Sequence, residues 1–229
     1  MIQRHVSRVA VGAPVTFPAW MGERHYMVPF TVREGLPAEL ARFAPTVEAM
    51  MSGLDVDPAQ YNYIMIDEAE VRPGEFHRRP GVHVDGYWHP AAQCHGGGGH
   101  GGGGHGPSPG RHGSTPGGHG SLPYYTPPAK GPGVRKVKRP PTRKAHAGEA
   151  LLLASSYSSA VAYLGTYWRN FEEAWRGGDC SELDLRHMAP VHLQAGVAYH
   201  LDVFTLHESL PVREATRRTL VQINVPGVG

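Results

Sequence analysis

Two residues of the chain, His83 and Asp85, have the types and the spacing to hold a metal ion. In His83-Val84-Asp85 an imidazole and a carboxylate stand two positions apart. On a strand, positions i and i+2 project from the same face, so the two can converge on one point. That pair suits a borderline divalent cation and leaves positions for a third protein ligand and for water. On the tripeptide alone, a surface strand carrying two polar residues is the simpler reading. The C-terminal segment GVAYHLDVFTLHESLPVREATRRTLVQINVPG adds a strand pattern, His207 at its end, a turn containing Pro211 and a second strand that opens on arginines. Its spacing predicts a hairpin that returns Arg218 toward the same end of the fold as His207.

Strands must position these side chains. Tyr61–Asp67 (YNYIMID) reads as one, followed by Glu68–Pro73 and a turn at Pro73-Gly74, and Gly81–Trp88 reads as another. Leu151–Tyr157, Val161–Tyr167, Val197–Leu206 and Thr219–Val225 are rich in β-branched and aromatic residues and are further strand candidates. Pro37–Met51 carries Leu40, Phe43, Val47 and Met50 at three- and four-residue spacings, which predicts a helix despite Pro45. A second, short helix is expected around Trp168–Trp175. The sum is a mostly β fold (α+β in its broad class), an antiparallel barrel or sandwich of the jelly-roll type with one or two supporting helices.

Composition separates this part of the chain from the rest. The 30 glycines and 21 prolines among 229 residues are concentrated between Gln93 and His146. That stretch has almost no large aliphatic residues, so it cannot bury enough surface to offset the entropy of ordering itself. Its first half is a Gly/His tract and its second half is Pro-rich and basic. A single domain over residues 1–229 is expected, with 93–146 as a long disordered or loosely packed insertion. The spaced histidines His95, His100, His105, His112 and His119 read as a solvated spacer, with adventitious nickel or zinc binding as the sharper alternative. The run Arg135, Lys136, Lys138, Arg139, Arg143, Lys144 reads as a solvated charge run that could touch phosphates.

Several classes are excluded. The 22 basic residues nearly cancel the 20 acidic ones, leaving +2, so bulk charge does not bind polyanions, although a local basic patch still can. No apolar run approaches the roughly 20 residues of a spanning helix, and the first residues lack a convincing signal-peptide core. Neither a membrane partner nor export is expected. Cys94 and Cys180 make no disulfide framework and have neither CxxC spacing nor an adjacent base, which points to a reducing, cytoplasmic setting. GxSxG, P-loop and dinucleotide-binding motifs are absent from the sequence.

The order HxD, a distant His and an Arg on the next strand resembles the Fe(II)/2-oxoglutarate-dependent oxygenases. HESLPVREATRRTL is also similar to the phytanoyl-CoA-hydroxylase-like and related small-molecule or phage members. The resemblance covers Tyr61–Val225 without the insertion. It implies a double-stranded β-helix, which is a distorted jelly roll, with His83, Asp85 and His207 on one face of Fe(II). Co-substrate 2-oxoglutarate and O2 take the remaining positions, and no catalytic residue is implied beyond the metal ligands.

The resemblance further implies an arginine for the co-substrate's distal carboxylate, which a guanidinium can grip with two parallel hydrogen bonds. Alternation places Arg218, Leu220, Gln222 and Asn224 on one face, and Thr219, Val221, Ile223 and Val225 on the other. Arg218, sharing its face with polar residues, is therefore preferred over Arg217. Ser209, and Tyr63 or Tyr61, could hydrogen-bond the same carboxylate. A second HxD, His200-Leu201-Asp202, lies only seven residues before His207 and has no distant partner strand after it, so His200 reads as a strand residue.

The implied activity is oxidation of 2-oxoglutarate to succinate and CO2 coupled to hydroxylation of a substrate. This type of barrel serves small molecules, proteins and nucleic acids alike, and the substrate is not written in the sequence. Two other classes share the pattern. One is a non-catalytic jelly-roll binding or structural protein, for instance a viral one. The other is a cupin-like metal enzyme that keeps the His/Asp/His set without needing Arg218.

Overall fold

Two long strands with apolar residues on both faces, β4 (Tyr61–Val71) and β10 (Thr216–Val225), pair at the heart of the larger of two antiparallel sheets. The computed structural model describes residues 2–85, 149–169 and 178–228. All of these belong to one compact unit. The larger sheet runs β2-β8-β5-β10-β4-β3, where β2 is Val9–Pro14, β3 Arg24–Thr31, β5 Ala150–Ser155 and β8 Val197–Asp202. The smaller is built on β6 (Ala160–Arg169). It has β7 (Ala189–Leu193) on one side, and β1 (Gln3–Ser7) and the three-residue β9 (His207–Ser209) on the other. The architecture is mostly β and compatible with a jelly roll.

Strand alternation explains why both faces of the larger sheet are apolar. Leu152, Ile64, Ile66, Val221, Ile223 and Val225 point outward and pack under Leu40, Phe43, Val47 and Met50. Leu151, Leu153, Tyr199 and Leu201 point inward and meet Ala162 and Leu193 of the smaller sheet. Hence β5 reads ALLLAS, with no polar alternation. Each fully buried side chain of this kind contributes about 1.5–3 kcal/mol.

The Pro37–Met51 region is two pieces rather than one helix. A 3-10 helix spans Ala38–Phe43, and α1 (Ala44–Met51) begins afresh with Pro45 in its first turn. Proline has no N–H to donate to a preceding turn but fits a helix start, so the apolar spacing survives while the helix restarts. The Pro73-Gly74 turn is present, with Gly74 at φ +82° and Glu75 N–H donating to the Arg72 carbonyl at 3.0 Å.

Three expectations need correction. Gly81–Trp88 is not a strand through its described residues: only His83 makes bridges, and 86–88 lie outside the described residues. The chain from His207 to Arg218 is not a hairpin within one sheet, because β9 pairs with β6 in the smaller sheet and β10 with β4 and β5 in the larger. Trp168 and Arg169 close β6 rather than opening a helix, and 170–175 lie outside the described residues. The 93–146 insertion, its histidines and its basic run also lie outside them. Among the described residues, no helix is long and apolar enough to cross a membrane.

Candidate metal centre

The segment Val82–Val84 is held from both sides. On one side His83 exchanges backbone hydrogen bonds with His207, N–H to carbonyl at 2.9 and 3.0 Å. On the other, Cys180 N–H donates to the Val82 carbonyl at 2.8 Å and Val84 N–H to the Gly178 carbonyl at 2.9 Å. Val82 and Val84 turn inward to a cluster with Tyr167, Cys180, Met188 and Leu206, which sends His83 and Asp85 to the opposite side. Two glycines permit this. Gly81 takes φ +81°, and Gly178 (φ +74°) passes so close that a Cβ there would stand 2.1 Å from the Val84 carbonyl oxygen.

His83, Asp85 and His207 each offer a ligand atom, and the three atoms lie within 4.8 Å of one another. The two imidazole centroids are 4.5 Å apart. His83 Nδ1 lies 2.7 Å from the Gly81 carbonyl oxygen and His207 Nδ1 2.9 Å from that of Thr205. A carbonyl only accepts, so both Nδ1 atoms carry protons and both Nε2 atoms are left for coordination. His207 Nε2 stands 3.5 Å from Asp85 Oδ2. Two electron-rich atoms face each other there, and a cation between them, proton or metal, relieves the repulsion. The residues therefore fit a divalent metal with two imidazoles and one carboxylate on one face, the remaining positions being open.

The electrostatics agree. Burial pushes His83 down to about 4, and the neighbouring His207 adds to the effect. Burial opposes charge on His207 as well, but Asp85 outweighs it and holds the ring's proton above the usual histidine range. Burial would raise the Asp85 carboxyl, yet His207 and His83 keep it well below the usual carboxylate range. Protonation of His207 and metal binding therefore compete for the same gap. Divalent-metal affinity is expected to fall toward acid pH, where protons compete with the metal for the ligand atoms. Titrations of Co(II) at several pH values check this, and an affinity that is flat or rises toward acid contradicts it.

Arg218 sits on the inner face of β10, opposite Ala69 of β4, and is 1% exposed. Its Nε donates to Ser155 Oγ at 2.8 Å, while its Nη1 is buried without a hydrogen-bond partner. Burial pushes its pKa down to about 10, Asp67 opposing and Arg78 adding to the fall. Arg78 acts electrostatically on Asp85 as well. Arg217, by contrast, is exposed, pairs with Glu70 at 3.0 Å and lies over the Trp20 ring.

Tyr63 is buried on the same inner face as Arg218, opposite Asn224, whereas Tyr61 is exposed. Ser209 is buried on β9, two residues beyond His207. No hydrogen bond joins Tyr63 or Ser209 to Arg218 among those described; Ser155 does that instead. Ser155, Asp67 and His77 escaped the sequence reading, since only strand register brings them to Arg218. His200 faces away from the centre and its Nε2 lies 3.0 Å from the Met50 carbonyl. Cys180 is buried, and burial pushes its thiol up to about 11, which suits no nucleophile; Cys94 lies outside the described residues. The open pocket of about 510 Å³ at Ser156, Tyr157, His192, Gln194 and Arg213 includes neither the triad nor Arg218 in its lining.

The chain matches no family model, and no curated protein or solved structure matches it.

Proposed function

We propose that the protein is a non-haem Fe(II)- and 2-oxoglutarate-dependent oxygenase of the hydroxylase type. The observation that carries the reading is the pairing of two features in one fold. One is a His/Asp/His face whose three ligand atoms lie within 4.8 Å of one another. The other is a buried arginine, on the neighbouring sheet's inner face, with an unsatisfied Nη1.

In this reading His83, Asp85 and His207 hold the iron. Arg218, steadied at Nε by Ser155, donates to the distal carboxylate of 2-oxoglutarate. Tyr63 and Ser209 stand as additional polar contacts for that end. When bound, iron and co-substrate supply oxidation by O2, in which 2-oxoglutarate becomes succinate and CO2 and the second oxygen atom enters the substrate. The chain's own part is to fix geometry and charge and to keep bulk water from Arg218, where a buried guanidinium binds a carboxylate more strongly than an exposed one. A buried arginine with one unsatisfied nitrogen has no evident use in a binding module or a cupin-like enzyme, which favours this reading over both.

The test is an anaerobic calorimetric titration of 2-oxoglutarate into the iron-loaded protein. Binding that requires both the metal and the distal carboxylate (with 2-oxobutyrate as the monocarboxylate control) supports the reading. Equal binding of the two acids removes Arg218 from it.

A further inference from the structure

A second buried side chain has, like Arg218, polar atoms without a hydrogen bond. His77 lies in the loop after β4, with its side chain 1% exposed. Neither of its ring nitrogens makes a hydrogen bond, although Nε2 is 3.4 Å from Asp67 Oδ1. Asp67 is also held from other sides: Arg24 of β3 donates to it through Nε at 2.7 Å and Nη2 at 3.1 Å, and Arg78 Nη1 donates at 3.0 Å, which leaves room on Oδ1 for one more donor. Arg24 and Arg78 thus bind Asp67 from the partly exposed side, while Arg218 lies diagonally across the β4–β10 pairing from it on the inner face. Unsatisfied buried polar atoms are rare and call for a cause. Here three such atoms lie on two side chains, Nη1 of Arg218 and both ring nitrogens of His77, within one another's electrostatic reach.

We propose that His77 is the second arm of the acid-binding pocket, donating to the carboxylate that Arg218 grips and taking up a proton when that acid binds. The proposal rests on the reading of Arg218 given above. The charged groups that act on the imidazole are Asp67 from β4, 3.4 Å away, itself bound by Arg24 of β3, and, through the field alone, Arg218 from β10 and Arg78 from its own loop. Without ligand, burial, Arg218 and Arg78 disfavour a charged ring and Asp67 alone favours it, so the ring is held neutral. A second carboxylate reverses the balance. The doubly protonated ring then has an N–H for Asp67 and an N–H for the ligand.

The test compares wild type, His77→Gln and His77→Phe, each Fe(II)-loaded and anaerobic. 2-Oxoglutarate and glutarate are titrated calorimetrically near pH 7.5 in two buffers of different ionisation enthalpy. Glutamine keeps a donor but cannot titrate, and phenylalanine keeps the ring volume without a donor. The expected result is an uptake of up to about one more proton per acid in wild type than in His77→Gln, with about tenfold weaker binding in His77→Phe. Tight 2-oxoglutarate binding with equal proton uptake in wild type and His77→Gln overturns the role of His77 and leaves the oxygenase reading intact. Absence of binding by either acid to wild type overturns both. Arg24 and Arg78 still hold Asp67 in both variants, so folding does not depend on His77 alone.

Discussion

His207→Ala is expected to abolish tight divalent-metal binding, with an affinity loss of at least about a hundredfold. Changing only the partner that orients a metal ligand already costs 10–100-fold, so deleting a ligand costs no less. The fold is expected to survive, since the hydrogen bonds that join residue 207 to residue 83 are main-chain bonds. Asp85→Ala should give a comparable loss and, by removing the charge that opposes burial at His207, lower that ring's pKa. His200→Ala is the control: its ring faces the α1 side and the Met50 carbonyl, so metal affinity should be unchanged. Co(II) titrations of the three variants check all of this. A His207→Ala protein that binds as tightly as wild type would show that the triad is not the site.

The second large effect concerns Arg218, and it has opposite signs for binding and for stability. Arg218→Met should weaken 2-oxoglutarate binding about tenfold to hundredfold, the value of a hydrogen-bonded contact to a charged group at roughly 1.5–3 kcal/mol. The same change removes a buried guanidinium whose Nη1 is unpaired and replaces it by an apolar chain of similar length. Thermal stability should therefore hold or rise, as it does when buried charges give way to well-packed apolar groups. Asp67 is not orphaned, because Arg24 and Arg78 remain on it. Arg217→Met should change neither quantity much, since Arg217 is exposed and its pair with Glu70 is a surface one. Loss of 2-oxoglutarate affinity in Arg217→Met but not in Arg218→Met would reverse the assigned faces of β10.

What the sequence made legible follows from the short range of its rules. The period of two on Thr219–Val225 separates Arg218 from Arg217, and the structure has the first buried and the second exposed. The same period separates His83 and Asp85 from Val84. Local patterns located β4, β5, β6, β8 and β10 to within a few residues. The strands that went unread are edge or very short ones. β2 and β3 border the larger sheet and contain Pro14 and Pro29, and β9 has only three residues. β1 and β7 lie on either side of β6, and neither is apolar enough to stand out. The supporting residues of the site were illegible for another reason. Ser155 reaches Arg218 through the β5–β10 register, and Asp67 and His77 through β4 and the loop after it. Register is a long-range property, fixed by how two sheets pack and not by local spacing. The crossing from β9 to β10 looked like a hairpin because a connection of that length can join strands within a sheet or between sheets.

Succinate release tests the central claim most directly. Fe(II)-loaded protein is incubated aerobically with 2-oxoglutarate and ascorbate, and succinate is measured for wild type, Asp85→Ala and Arg218→Met, with metal-free wild type as the blank. The account predicts succinate from wild type above the blank even without a substrate, none above it from Asp85→Ala, and a sharply reduced yield at limiting 2-oxoglutarate from Arg218→Met. Iron-loaded wild type that binds metal through the triad yet releases no more succinate than the blank, or an Asp85→Ala variant as active as wild type, would contradict it.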